Sequence, residues 1–260
     1  MAVNERDLSV EQKLFFQTQG ELLKKNFEKR HVQTELLYKD EEVYEYIRTF
    51  VKERPYIKNI AFSDGVTLYQ LDLFNWVNKE FGRDGFVVNQ PLKRGTNGHY
   101  AVYGEQPEGR LNLPKEEFDE KYRQWYDDCR KSLLSDLLII SANAITLNGE
   151  IVSIDGLGNR VTGMMFGPLH VICIVGRNKI TPNVDFALER IHNFVAPMTY
   201  VRHINKHYAS FNEVPCVKVG KCFNCNHEYS SCRDVVIMRG QIKQHKDRLH
   251  LLVLNKDLGL

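Results

Sequence analysis

The sequence predicts a three-layer α/β fold built on a mainly parallel sheet. Short, continuously apolar runs at Asn59–Phe62, Leu137–Ile140 and His170–Gly176 have the length and composition of strands buried on both faces. The segments between them carry apolar residues at helical spacing, and a chain that alternates strands with helices forms a parallel sheet covered by helices. The composition agrees, because 43% hydrophobic and 26% charged residues are ordinary values for a globular protein.

The first part of the chain predicts two helices with a short strand between them. Ser9-Val-Glu-Gln12 has the pattern of a capping box and predicts a helix to about residue 30. A second helix begins near Asp40 and ends at the Arg54-Pro55 step. The apolar face predicted for the first helix consists of Leu14, Phe15, Leu22, Leu23 and Phe27. We therefore predict an N-terminal helical extension over residues 1–55, packed on a main α/β domain over residues 56–260.

The main domain is predicted to continue the alternation and to end in antiparallel pieces. Helices are expected over residues 66–81 and 115–135, and the Asn148-Gly149 pair favours a hairpin. Residues 93–113 are rich in Gly, Asn and Pro and are the best candidate for a long functional loop.

Charge and hydropathy argue against nucleic-acid binding and against a membrane-spanning helix. The chain has 35 basic and 33 acidic side chains, a net charge of +2, which gives no electrostatic reason to expect nucleic-acid binding. No apolar run approaches the 18 or so residues of a membrane-spanning helix. The first thirty residues lack the apolar segment and cleavage site of a secretory signal, so we expect a cytoplasmic protein.

Four of the six cysteines are crowded into residues 216–232. Their spacing is Cys216-x5-Cys222-x2-Cys225-x6-Cys232, and four thiolates this close can converge on one metal centre. Soft thiolate ligands favour zinc or an iron–sulfur cluster, and the spacing does not decide between them. The alternatives are reduced thiols on a loop or a redox disulfide pair. His203 and His207, one helical turn apart just upstream, are not expected to add ligands.

A first candidate ligand site follows the strand at Asn59–Phe62. Ser63, Asp64, Gly65 and Thr67 lie between that strand and the next helix, where hydroxyl and backbone N–H groups can hold a phosphate or carboxylate. The same residues would also serve as an ordinary helix N-cap.

A second candidate site is the loop formed by Asp155, Gly156, Gly158, Asn159 and Arg160. Its glycines allow the backbone to approach a ligand closely, and the Arg160 guanidinium can donate two parallel hydrogen bonds to a carboxylate or phosphate. A purely structural turn has the same residue pattern. Asn143, Asn178 and Lys179 are expected at the same edge of the sheet. The dinucleotide and P-loop fingerprints do not occur, and no catalytic residue can be assigned from spacing.

The run 141–180, SANAITLNGEIVSIDGLGNRVTGMMFGPLHVICIVGRNKI, resembles the signature of the LUD-domain (lactate-utilisation) family, in its compact stand-alone type. The likeness extends to the loop at 63–68, to GKCFNCNHEYSSC and to the final LLVLNKDLGL. It implies the fold shared by ribose-phosphate isomerase, glucosamine-phosphate deaminase and CoA transferases. It also implies cytoplasmic proteins tied to the oxidation of lactate to pyruvate, with iron–sulfur partner subunits.

Two functions remain open. The first is a redox-associated protein of lactate (2-hydroxy-acid) utilisation, with a small anionic ligand at the sheet edge and an iron–sulfur or zinc centre at the four cysteines. The second is an isomerase-like or CoA-transferase-like enzyme with a purely structural zinc. A CoA transferase needs a nucleophilic glutamate, and Glu150 is the nearest candidate in sequence.

Overall fold

The computed structural model describes residues 5–82, 85–96, 98–104, 113–207 and 214–260. Ten strands are present in this part of the chain: β1 Gln33–Leu37, β2 Asn59–Phe62, β3 Val87–Asn89, β4 Leu137–Ile140, β5 Ala144–Thr146, β6 Ile151–Asp155, β7 His170–Gly176, β8 Ile180–Thr181, β9 Asp234–Met238 and β10 Leu249–Leu254. Six of them form a central sheet in the order β1-β10-β7-β4-β2-β3, and every pairing in it is parallel.

Helices cover both faces of the central sheet, which confirms the three-layer α/β prediction. They are α1 Ser9–Glu28, α2 Asp40–Lys52, α3 Val66–Gln70, α4 Leu73–Phe81, α5 Lys115–Ser132, α6 Asn159–Met165, α7 Val184–Arg190, α8 Ala196–His207 and α9 Pro215–Val219. Alternate residues of a strand point to opposite faces. Accordingly Leu137 and Ile139 pack with α2 and α4, whereas Leu138 and Ile140 pack with α1 and α6.

A second, four-stranded sheet lies on the α1 side, in the order β8-β5-β6-β9. Its β5-β6 hairpin turns at Asn148-Gly149, with Gly149 at a φ of +86°, and β6 pairs antiparallel with β9. The late antiparallel pieces are therefore present as predicted. Ile145 and Ile151 pack into the core shared with the central sheet, so the two sheets meet through a common apolar layer.

The buried face of α1 differs from the predicted one. Leu14, Phe15 and Leu22 are exposed, and the buried residues are Phe16, Gly20, Leu23 and Phe27. Gly20 explains the difference, because a Cβ there would lie 2.6 Å from the side chain of Leu36 in β1. The glycine therefore allows α1 to lie close to β1 on the face that carries Phe16, Leu23 and Phe27.

The helix predicted over 66–81 is two helices. Asp72 takes a left-handed conformation, φ +48°, which ends α3 and starts α4 in a new direction. The predicted loop over 93–113 contains a bridge between Arg94 and Tyr100, and its residues 97 and 105–112 lie outside the described residues.

The domain boundary near residue 55 stays a prediction. On its N-terminal side, β1 pairs with β10 at the edge of the central sheet. Within the described residues, we find no helix with the length and hydropathy needed to cross a membrane.

Candidate functional site

A cleft of about 380 Å³ opens at the carboxyl ends of β2 and β4, between the central sheet, the β6-α6 loop and α8. Ligands of open α/β sheets bind in this type of crevice. Nine predicted ligand-binding residues line it: Asp64, Gly65, Thr67, Asn143, Asp155, Gly156, Asn159, Arg160 and Lys179.

Three predicted residues lie beside the cleft and do not line it. Ser63 is buried beneath it at the end of β2, with 2% exposure. Gly158 caps α6 at a φ of +83°. The Asn178 side chain accepts a hydrogen bond from the Leu258 backbone N–H at 3.0 Å and so anchors the C-terminal segment.

Lys179 is the central cation of the cleft. It follows β7 on a single 3₁₀ turn, Arg177–Lys179, and is 4% exposed. Its ammonium group donates to Thr67 Oγ1 at 3.0 Å, Ser141 Oγ at 3.1 Å and the Ala142 carbonyl at 2.9 Å. The predicted pairing of the 63–67 loop with Lys179 at one sheet edge is therefore present in the structure.

The charge of Lys179 has no counter-ion in the described part of the chain. All three of its acceptors are uncharged, and no carboxylate lies within 4.0 Å of its Nζ. Burial, with further contributions from the charges of Arg160 and Arg190, lowers the pKa of Lys179 to about 7, although Cys173 acts weakly in the opposite direction. A buried cation in this setting is stabilised by an anion that enters the cleft.

The loop around Asp155 is organised by its own contacts. Asp155 Oδ1 accepts from the backbone N–H groups of the next three residues, and Oδ2 accepts from Arg160 Nε at 3.2 Å. Arg160 Nη2 also donates to Asn143 Oδ1 at 3.1 Å and to the Ile154 carbonyl at 2.7 Å. Arg160 thus ties β6 to the end of β4. Ligand binding by Arg160 stays a prediction.

The wall of the cleft on the side of the 63–67 loop contains an ion pair that packs against an aromatic ring. Arg94 Nη2 donates to Asp64 Oδ2 at 2.6 Å, and its guanidinium lies 3.8 Å from the centre of the Tyr100 ring. Burial, followed by the charge of Asp64, raises the pKa of Tyr69 in the same wall. Gly65, rather than Ser63 or Asp64, is the N-cap of α3, so the simple capping alternative does not describe these two side chains.

Sequence reasoning missed the contribution of α8. Thr199, Arg202 and His203 lie on one face of this helix and line the cleft. Arg202 is half-buried, and within the described residues its guanidinium has neither a hydrogen bond nor an ion pair. The sequence contained a signal for this polar face, because Thr199, Arg202 and His203 have the i, i+3 and i+4 spacing that places side chains on one side of a helix. His203 was considered beside the cysteines with His207, whose side chain lies outside the described residues.

The four cysteines lie in one region without forming a closed ligand set. Burial, and then the neighbouring charges of Cys225, Cys232 and Cys222, raises the pKa of Cys216 to about 11. In the described residues, however, no three of these sulfur atoms lie within 4.8 Å of one another. A tetrahedral zinc with Zn–S bonds of about 2.3 Å needs its sulfurs roughly 3.8 Å apart. The expected convergence is not seen at this range, and the metal centre stays a prediction.

The family model of the LUD domain matches residues 20–254, nearly the whole chain. The chain belongs to the LUD-domain family. This family is associated with lactate utilisation. A crystal structure of a DUF162-family protein from Deinococcus radiodurans is similar, with 11% sequence identity and a TM-score of 0.44, over 93% of this chain and 97% of that one. None of the curated proteins matches the chain.

In this LUD domain, Glu150 does not line the cleft. It lies in the β5-β6 turn, where its carboxylate contacts the Thr146 hydroxyl and lies 3.6 Å from Arg30. The cleft is formed at the other end of β6, by Ile154 and the residues after it. The structure therefore gives no support to Glu150 as a nucleophile at this site.

A histidine pair lies at the opposite end of the central sheet. In the described residues, one group of potential ligand atoms falls within 4.8 Å, that of His170, Asp247 and His250. Both imidazoles contact the Asp247 carbonyl, at 2.8 and 3.1 Å, and each has a tyrosine hydroxyl at 2.7 Å, from Tyr56 or Tyr46. Burial lowers the pKa of both histidines. Every ring nitrogen of the two neutral histidines therefore has a hydrogen-bond partner. The network connects the starts of β7 and β10.

Proposed function

We propose that the cleft binds a small carboxylate in lactate utilisation, a 2-hydroxy acid such as lactate or the 2-oxo acid formed from it. The observation that carries this proposal is the buried ammonium of Lys179, which has only uncharged partners in the described residues. A carboxylate in the cleft supplies the counter-charge, and charge-assisted hydrogen bonds of this type are about twice as strong as neutral ones.

Two further groups suit a 2-hydroxy or 2-oxo acid. On the α8 side, the Arg202 guanidinium has no hydrogen-bond or ion-pair partner among the described residues, and it can hold a carboxylate through two parallel hydrogen bonds. The amide oxygen of Asn143 is engaged by the Ile154 N–H and by Arg160, which leaves its amide nitrogen as a donor for a hydroxyl or carbonyl oxygen. The ligand would therefore meet donors from three separate elements.

We further propose that the cysteine segment holds an iron–sulfur cluster. Four thiols in one region, with His192 Nδ1 3.3 Å from Cys222 Sγ, are a soft donor set. In the described residues no three of these sulfurs lie within 4.8 Å of one another, and the thiolates of a cluster, which bind different iron atoms, stand farther apart than those around a single zinc ion. Such a cluster supplies one-electron transfer. Cys232 adjoins Ser231, which lines the cleft, and iron–sulfur partner subunits would accept the electrons of lactate oxidation.

Calorimetric titration with lactate and pyruvate tests the cleft. Arg202→Ala should weaken binding by about 1.5–3 kcal/mol, the loss of a charge-assisted hydrogen bond. Arg239→Ala is the matched control, because it removes an exposed guanidinium at the far end of β9. Equal affinities in both variants, or no binding to the unaltered protein, would contradict the proposal.

Anaerobic purification with metal analysis and an absorption spectrum tests the centre. A brown protein containing iron and inorganic sulfide supports the electron-transfer role. A colourless protein with one zinc would contradict it and support the isomerase-like or transferase-like alternative with a structural metal.

A further inference from the structure

Beyond neutralising a ligand, the Lys179 amine lies where it can react with one. We infer that Lys179 forms a reversible imine with the carbonyl carbon of a 2-oxo acid held in the cleft, so that the domain binds this class of ligand covalently. The inference rests on the proposed function, because the carboxylate site must first hold the acid.

Three hydrogen bonds fix the position of the amine at the edge of the cleft, which Lys179 lines. Thr67 Oγ1, Ser141 Oγ and the Ala142 carbonyl surround Nζ within 3.1 Å. The backbone at Gly259 adds a close contact, since a Cβ at this residue would lie 2.8 Å from Nζ and 2.5 Å from Thr67 Oγ1. Because the amine is already held in position, little conformational entropy is lost when it reacts with a ligand carbonyl.

The amine is also available as a nucleophile at neutral pH. Burial, together with the charges of Arg160 and Arg190, lowers the pKa of Lys179 to about 7, and Cys173 is the neighbour that opposes this shift. Imine-forming lysines are activated in this way, by desolvation and by nearby cations. No carboxylate in the described residues lies close enough to hold the side chain as an ammonium ion.

The step balances without an oxidant or a second substrate. The Nζ lone pair attacks the carbonyl carbon, and the carbonyl oxygen takes up a proton to give a carbinolamine. The nitrogen lone pair then expels this oxygen, which leaves as water after receiving a second proton. One proton comes from the attacking nitrogen and the other from solvent. Ser141 and Thr67, whose hydroxyls lie 3.2 Å apart and both contact Nζ, can relay them.

The class of ligand follows from the cleft walls. Arg202, across the cleft from the sheet edge, is the group that would hold the carboxylate beside the reacting carbonyl. Leu92, Tyr100 and Trp125 form an apolar wall that reduces competition from water. A 2-oxo acid has its carboxylate next to its carbonyl, whereas a simple ketone lacks the anion and lactate lacks the carbonyl.

Reductive trapping with pyruvate and cyanoborohydride at pH 7, followed by intact-mass and peptide analysis, tests the inference. We expect one adduct on Lys179, formed at least about tenfold faster than on an exposed lysine such as Lys243, because an ordinary lysine has a pKa of about 10.4 and is almost wholly protonated at pH 7. Lactate should protect Lys179, and Lys179→Met should abolish this adduct while surface labelling continues.

The unaltered protein provides a second readout if Lys179→Met does not fold. The rate of labelling at Lys179 should rise with pH to a plateau with a midpoint near 7. If pyruvate binds by calorimetry but labels Lys179 no faster than Lys243, the imine is wrong and the proposed carboxylate site stands. If neither acid binds and Lys179 is not labelled, both the proposed function and the imine are overturned.

Discussion

At the scale of single residues, Lys179 has two opposing effects. Its burial costs stability, because the folded protein holds a cation with only uncharged partners in the described residues. The same arrangement favours any anion that enters the cleft. Residues at functional sites commonly trade stability for function in this way.

Because this cost applies only to the protonated lysine, the free energy of unfolding increases as the pH rises. Below about pH 7 Lys179 is protonated in both the folded and unfolded states, so its full penalty is present. Between pH 7 and about 10.5 the folded state loses the proton first, and the free energy of unfolding rises by up to about 1.4 kcal/mol per pH unit.

Urea unfolding of the unaltered protein and of Lys179→Met at pH 7 and pH 9 measures the effect. The unaltered protein should gain about 2 kcal/mol relative to the variant over this range, since other titrating groups cancel in the difference. Equal changes in the two proteins would show that Lys179 titrates as an ordinary lysine.

Single residues also show which features of the site could be predicted from the sequence and which could not. Lys179 and Thr67 were placed at one sheet edge because parallel strands end together, and the structure brings them into contact. The spacing of Arg160 could not show that its guanidinium is already engaged by Asp155, Asn143 and the Ile154 carbonyl. That depends on the direction in which α6 leaves its loop, which is a tertiary property.

At the scale of elements, glycine contacts position the site. Gly176 ends β7, and a Cβ there would lie 2.5 Å from the Leu258 nitrogen and 2.5 Å from the Lys256 oxygen. These are backbone atoms, so they cannot move aside as a flexible side chain would. The C-terminal segment therefore packs directly over the turn that carries Lys179.

Gly176→Ala should lower the free energy of unfolding by about 1–3 kcal/mol, the usual cost of overpacking. Gly65→Ala is the control, because a Cβ at Gly65 meets nothing closer than 3.8 Å and its φ of −178° suits any residue. Thermal unfolding of the two variants compares them directly. Equal stability of both would contradict close packing at Gly176.

Elements were predictable where local patterning decides them. The strands and the hairpin at Asn148-Gly149 follow from apolar runs and turn residues. The buried face of α1 does not, because Gly20, which the apolar pattern leaves out, lies against Leu36 of β1. The break at Asp72 is also absent from the periodicity, since the apolar spacing continues across it.

At the scale of the whole molecule, the cleft combines segments that are distant in sequence: the ends of β2 and β4, the β6-α6 loop, the turn after β7, and α8. The parallel topology made the first four predictable as neighbours. The position of α8 was not predictable, because α8 follows a π-helical segment at Ile191–Val195, which changes the faces that the helix turns toward the cleft. The polar spacing of Thr199, Arg202 and His203 was visible in the sequence, but its place beside the cleft was not.

The cysteine segment contacts this assembly through a small apolar cluster of Tyr200, Val214 and Cys216, separate from the central core, and through hydrogen bonds of Tyr200 with Ser231 and of the Arg233 N–H with the Asp155 carbonyl. Removal of metal by an anaerobic chelator should therefore increase hydrogen exchange in residues 214–233 while the β4, β7 and β10 core stays protected. Loss of protection throughout the core would instead show that the centre holds the whole fold together.

The most direct test of the carboxylate site is the proton balance of binding. Calorimetric titration with lactate at pH 7, repeated in buffers of different ionisation enthalpy, reports the protons taken up. A carboxylate beside Lys179 raises its pKa from about 7, so we predict an uptake of up to about half a proton that is lost in Lys179→Met. Binding without proton uptake, or the same uptake in the variant, would contradict a ligand paired with Lys179.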